Sequence, residues 1–223
     1  MVRKNQLLLG IFCFTFILFL SGCSPFQSTP EKIHEVLEDV VEKEALFEEQ
    51  QEPLVQLEKD EQQLYEEIMA LGTKNLDDIV KKSDEAIEIV DKRQVHMENE
   101  QKSLEESEEE FKRVKPLIEK IDEKQVKNKA DELYSVMTER YRTHDELYKA
   151  YTQGLVQDKN LYNLLKAEER SLGELEEQIV KINQIYEQVI AANEKFNELT
   201  KEYNDIKHAF YELSGLDIEE STK

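Results

Sequence analysis

Four histidines, two cysteines, fifty carboxylates and nine tyrosines are the side chains here that can carry chemistry. The histidines, His34, His96, His144 and His208, are far apart in sequence, and none stands in H-E-x-x-H or a similar zinc-ligand spacing. His144 falls on an apolar helical stripe, where a hydrogen-bonded core or boundary histidine is the expected role. A serine nucleophile needs a strained elbow such as G-x-S-x-G, and a phosphate site needs a glycine-rich loop; the sequence has neither. Carboxylate pairs occur throughout, so no pair marks an acid–base couple. The expectation is a protein that is not an enzyme and holds no metal or cofactor. Tyr134, Tyr141, Tyr148 and Tyr162 follow one another at seven, seven and fourteen residues, with Leu155 in the gap and Tyr151 nearby. Such a ladder can pack against a neighbouring helix, or Tyr141, Tyr148 and Tyr151 can stack on the sugar rings of a glycan. Helical spacing favours packing.

Cys23 is the one thiol with a chemical context. Arg3 and Lys4 precede an apolar run from Leu7 to Leu20. That run has the length of a signal-peptide core and is too short to span a bilayer. Leu20-Ser21-Gly22-Cys23 then resembles the bacterial lipobox, L-[AST]-[GA]-C. The resemblance implies a diacylglyceryl group on the Cys23 sulfur, the covalent lipid being the only added group, and cleavage just before it. The alternative is an ordinary secretory signal cut after Gly22, leaving a free thiol. Cys13 leaves with the signal, so the mature chain has no internal disulfide. Each buried methylene contributes roughly 0.8 kcal/mol, and two acyl chains anchor stably. The expected organisation is a signal over 1–22, the lipidated cysteine and a short tether over 23–29, a helical domain over 30–216 and a frayed tail over 217–223.

Without Arg3 and Lys4 the chain carries 27 basic against 50 acidic side chains, a charge of −23. That excess argues against nucleic acid and against an anionic lipid face as direct partners. The mature part has four glycines, four prolines and no tryptophan. Alternating β-type runs are absent, and the pattern is helical.

The elements follow from that pattern. Thr29-Pro30-Glu31 reads as a helix start with Thr29 as N-cap, and Gly72 as its stop, with a kink expected at Pro53. Asn75 opens a second stripe from Leu76 to Ile118. Within it Glu98–Glu110 is mostly acid, with Leu104 as its one apolar anchor; a straight helix spreads such carboxylates around its cylinder, so a solvated face is expected rather than a calcium site. Asp122 and Gln125 read as a capping box for a third helix carrying the tyrosines. Ser171 and Glu174 read as a second box for a fourth, on which Asn193 is expected at a register-setting core position. Ser214-Gly215-Leu216 is a glycine stop. Four helices of about forty residues, joined by short connections, give an all-α, elongated, antiparallel up-and-down four-helix bundle with coiled-coil-like packing. A three-helix, spectrin-like arrangement is the alternative if two segments are continuous.

With the bundle and the anchor in view, the chain resembles the cell-wall-binding lipoproteins of the YkyA type found in Gram-positive bacteria. The similarity lies in "LSGC" at 20–23, "ERYRTHDELYKAY" at 139–151, "ELEEQIVKIN" at 174–183, "ANEKFNELTKEYN" at 192–204 and "FYELSGL" at 210–216. It implies a helical bundle on the outer face of the cytoplasmic membrane, lipid-anchored and facing the wall, with a wall component or wall-associated protein as partner. The other reading is an acidic helical spacer or adaptor that recruits a basic exported protein.

Overall fold

The structure, a computed structural model, describes residues 27–72, 75–169 and 171–216. It is all-helical, with no strand among the described residues. Four long helices, α1 (Thr29–Leu71), α2 (Leu76–Phe111), α4 (Lys124–Leu165) and α5 (Leu172–Leu213), are joined by a 3₁₀ turn over Lys112–Val114 and the short α3 (Lys115–Ile118). No two long helices are continuous, so the arrangement is four-helical and not spectrin-like. At 1.5 Å per residue each long helix runs roughly 55–65 Å.

The helix ends refine the sequence reading. Ser28, not Thr29, caps α1: its backbone is extended, its hydroxyl accepts from the Glu31 N–H, and Glu31 returns a bond to the Ser28 N–H. Pro30 then sits in the first turn, where no N–H is needed. The Asp122–Gln125 box does not form. The extended residue preceding α4 is Glu123, so Asp122 lies one residue too early to cap. Ser171 precedes α5 in an extended conformation but its side chain makes no capping bond. The α5 stop is as read: Gly215 is left-handed at φ 67°. The Leu216 N–H bonds back to Tyr211 and that of Gly215 to Glu212, the paired bonds of a Schellman stop.

α1 packs along α2, α4 along α5, and the two hairpins meet through α2 and α4. The outer helices α1 and α5 touch chiefly through side chains near the base, where Phe47 meets Phe196 at 5.7 Å and His34 meets Tyr211 at 5.2 Å between ring centroids. The apolar interior is correspondingly divided. A basal core joins Ile33, Leu37, Phe111, Leu133, Met137 and Phe210; a distal core joins Leu54, Ile68, Ile79, Val90, Leu155 and Leu165. Between them lies a polar waist of Glu100, Gln101 and His144.

α1 is continuous through Pro53. Nearer its start, Ser103 wedges into the α1 ladder: its hydroxyl donates to the Lys43 carbonyl at 2.6 Å and accepts from the Phe47 N–H at 3.0 Å. Ser107 bonds Glu44 and Tyr141. The acidic stretch 98–110 is therefore not anchored by Leu104 alone, because Glu100, Ser103 and Ser107 are buried beside it.

Candidate functional site

Above the Phe47–Phe196 contact the outer helices diverge and leave a cleft of about 880 Å³. One wall is α1 from Phe47 to Tyr65; the other is α5 from Ile179 to Thr200. The floor comes from α2 and α4. Ile179, Ile182, Val189 and Ile190 make the α5 wall partly apolar, and Asn183, Asn193 and Asn197 stud it with amides. None of the three asparagine side chains makes a hydrogen bond among the described residues. Asn193 is exposed and lines the cleft instead of occupying a core register position, because α1 does not close over it.

Arg93 organises the floor. It projects from α2 on the same face as Val90 and Met97, and is buried. Its Nη1 donates to Glu61 of α1 at 2.5 Å and to Asp158 of α4 at 3.5 Å. Its Nε donates to the Tyr151 hydroxyl at 2.9 Å, and its Nη2 to the Tyr186 hydroxyl of α5 at 3.0 Å. Glu58 lies 3.5 Å away. One guanidinium thus ties α2 to groups from the other three long helices, as its fork of five donors allows. The tyrosines extend the network: Tyr151 donates to Glu58 at 2.7 Å, Tyr162 to Glu61 at 3.1 Å and Tyr186 to Asp158 at 2.5 Å. Burial pushes all three phenols up, so they remain protonated donors. Gly154 makes this possible for Tyr186, since a Cβ at that position would lie 3.2 Å from the ring.

A second arginine closes the lower end. Arg140 of α4 forks onto Glu44 of α1 with two bonds of 2.8 Å, donates to Thr200 of α5 at 2.8 Å, and lies over the Phe196 ring at 4.5 Å. Both lining arginines are consumed by these partners. Of the waist, Glu100 borders the cleft, with His144 and Gln101 behind it. His144 donates from Nδ1 to the Gln101 Oε1 at 3.2 Å, while its Nε2 has no hydrogen bond and faces Glu100 at 3.8 Å. Glu100 is pushed up by its burial, against the opposing His144.

The tyrosines singled out by spacing are mostly interior. Tyr141 and Tyr151 are only 4 % and 5 % exposed and Tyr148 is half-buried against the distal core, so covered rings account for the ladder by packing. Tyr151 nevertheless borders the cleft through the Arg93 network. Cys23 and Leu20, Ser21 and Gly22 lie outside the described residues. The residues missed by spacing alone are Arg93, Arg140, Glu58, Glu61, Asp158 and Tyr186. A signal for four of them existed: each is a charged residue on an otherwise apolar stripe, as in Val90–Arg93–Met97, Met137–Arg140–His144, Leu57–Glu61–Leu64 and Leu155–Asp158–Tyr162.

Three carboxylates share the single Arg93 charge, and Asp158 shows the crowding. Its carboxyl is pushed up from 3.8 to about 6, by burial first and then by Glu61, against the Tyr186 hydroxyl and Arg93. Because the folded value lies above the unfolded one, the native state keeps a proton that the unfolded chain has lost between about pH 4 and pH 6. This group's contribution to stability is therefore greatest below that window and falls as pH rises through it. Asp158→Asn keeps an acceptor for Tyr186 and removes the charge. It is expected to raise the stability near neutral pH by about 1–3 kcal/mol, and with it the unfolding midpoint, and to flatten the change between about pH 4 and pH 6. Calorimetry of both proteins across that range checks it; a lowered neutral midpoint would show that the Arg93–Asp158 attraction outweighs the crowding.

The fold and its side cleft define an elongated four-helix bundle protein with a polar, tyrosine-bordered groove. Residues 28–213 match the YkyA family, described as "Putative cell-wall binding lipoprotein", and the chain belongs to that family. It is 36% identical over 219 residues to the uncharacterized lipoprotein YkyA of Bacillus subtilis strain 168, covering 98% of this chain and 97% of that protein. Its fold is that of a conserved protein of unknown function from Staphylococcus aureus, known from a 1.6 Å crystal structure. The TM-score is 0.69 at 16% identity, over 83% of this chain and 96% of that one. Among the described residues no helix is long and apolar enough to cross a membrane.

Proposed function

We propose that this protein is a non-enzymatic lipoprotein, anchored through an acylated Cys23 to the outer face of the cytoplasmic membrane. Its α1–α5 cleft is the surface that binds a cell-wall component. The observation that carries the reading is the cleft itself: about 880 Å³, within the range of ligand-binding pockets, mixing apolar walls with a few fixed polar groups. Its lining holds no uncommitted cation, since Arg93 and Arg140 are both paired. Polyanionic wall polymers and phosphates are therefore poor ligands, and uncharged or cationic wall chemistry is favoured. The family description supports the wall as the source of that ligand.

The anchor and the cleft fit together in distance. The cleft wall on α1 starts 18 residues beyond Thr29 and ends 36 residues beyond it, or about 27–54 Å along the helix axis. A six-residue tether from Ser24 to Thr29 adds at most ~20 Å. With α1 standing away from the membrane, these lengths place the cleft clear of the bilayer surface, on the side from which the wall is reached.

The test is co-sedimentation of the full-length protein, in detergent, with purified peptidoglycan, with and without a divalent-cation chelator. Retention that survives chelation is expected. Loss of retention in chelator would replace the cleft with cation bridging between two polyanions. No retention, with a basic exported protein captured from wall extract and released by salt, would replace wall binding with the adaptor role.

A further inference from the structure

We propose that the cleft recognises a primary ammonium group on a peptide, seated against Asp158, Glu58 and Glu61. The proposal rests on the reading of the cleft as a wall-binding surface and names the part of the wall that enters it: the amine-bearing peptides, not the sugar backbone.

Charge is the first observation. The lining carries the carboxylates of Glu48, Glu58, Glu61, Glu100 and Asp158, against the two committed arginines. Around Arg93, three acids share one guanidinium. A buried excess of negative charge is costly unless a proton or a cation relieves it.

Unused acceptors are the second. Asp158 is 6 % exposed and borders the cleft. Its Oδ2 takes the bonds from Tyr186 and Arg93, while its Oδ1 has no hydrogen bond among the described residues. Glu58 likewise spends Oε1 on Tyr151 and leaves Oε2 without one. An ammonium brings three donors, no acceptor and one positive charge, which is what these oxygens lack. A hydroxyl donates but brings no charge. Chelation of a metal ion is not favoured, because no three acidic, histidine or cysteine side chains among the described residues are placed to hold one.

The walls give the third. A lone amine would leave most of the cleft unused. Isoleucine and valine side chains alternate there with Asn183, Asn193 and Asn197, whose amides are without partners. Methyl groups beside paired donors and acceptors suit a peptide backbone with small side chains better than a sugar, which offers hydroxyls and a ring face. Of the tyrosines lining the cleft, Tyr151 and Tyr162 are covered, while Tyr65 and Tyr186 are half-buried and the Tyr186 hydroxyl is bound to Asp158.

The experiment compares native peptidoglycan with the same material after N-acetylation of its free amines, using the full-length protein in detergent. In parallel, acetyl-alanyl-lysyl-alanine amide, with its Nζ free or acetylated, is titrated against the protein. N-acetylation is expected to lower retention about tenfold or more, the scale of losing one charge-assisted contact. The free-amine peptide is expected to bind and the acetylated one not. Glu58→Gln, which keeps the acceptor for Tyr151, is expected to weaken the free-amine ligands about tenfold and leave the acetylated ones unchanged. Equal retention of native and acetylated peptidoglycan overturns the ammonium proposal and leaves wall binding standing. If neither is retained, wall binding fails, and the titration alone decides: amine-dependent binding supports the ammonium site, and its absence overturns it.

Discussion

Replacing Arg93 with methionine is expected to lower the stability of the bundle by about 3–5 kcal/mol, the cost of leaving buried charges without their partner. Among the described residues Arg93 is the only cation paired with Glu61 and Asp158, both buried, and its removal also strips a donor from the Tyr151 and Tyr186 hydroxyls. The loss should exceed that of a typical exposed ion-pair deletion, which is about 0–1 kcal/mol. Urea unfolding followed by circular dichroism measures it. The mechanism has a second signature: adding Glu61→Gln and Asp158→Asn to the methionine variant is expected to recover much of the loss, because the unpaired charges are then gone. A cost under about 1 kcal/mol for Arg93→Met would mean that water entering through the cleft solvates the carboxylates as well as the guanidinium does. The floor would then not be a fixed polar platform.

Cys23→Ala is expected to abolish acylation and block processing, leaving the chain as precursor with its signal segment attached. In the wild type, two acyl chains at roughly 0.8 kcal/mol per buried methylene anchor stably. None of the described helices can replace them, since none can cross a bilayer. Fractionation, with mass spectrometry of the N-terminus, reads the outcome. Wild-type protein should be processed, acylated and in the membrane fraction; the alanine variant should accumulate as precursor. A processed wild type with an unmodified Cys23 that still fractionates with membranes would show that another feature anchors it. Because the helical core lies 10 residues beyond Cys23 at its first buried side chain, Ile33, this variant should leave the bundle's melting unchanged.

Much of the fold was readable because the apolar stripes are long. Steps of three, four and seven residues from Ile33 to Ile68, and from Val189 to Phe210, specify helices whatever their partners. The ends were less readable. Ser28 and Thr29 are both good caps, and only the extended backbone of Ser28 and its exchange of bonds with Glu31 select the first. The acidic stretch 98–110 looked weakly anchored because serine carries no periodic apolar signal, yet Ser103 and Ser107 let α2 approach α1 closely and bond to it.

The cleft was the least legible part. Periodicity tells which face of a helix turns inward but not which residue on another helix it meets. Arg93 and Asp158 are 65 residues apart in sequence, and Arg140 and Glu44 are 96 apart. Four charged residues interrupting the stripes of three helices were the available sign, and their mutual attraction was the missing step. Asn193 illustrates the converse. It sits at the spacing of a core position, but a stripe position becomes core only where a neighbouring helix covers it, and α1 and α5 part at that level.

That the cleft is the wall-binding surface is tested most directly by filling it without disturbing the core. Ile190 lines the cleft and is 57 % exposed, so Ile190→Trp adds bulk to the groove while the buried side of α5 is unchanged. Val95 is 55 % exposed on α2, outside the cleft, and Val95→Trp serves as the matched control. With the full-length protein in detergent and purified peptidoglycan, Ile190→Trp is expected to cut retention by about tenfold or more through direct obstruction. Val95→Trp and the wild type should be retained alike, and all three should share one melting temperature within about 2 °C. Full retention of a normally folded Ile190→Trp protein would contradict the assignment of wall binding to the cleft.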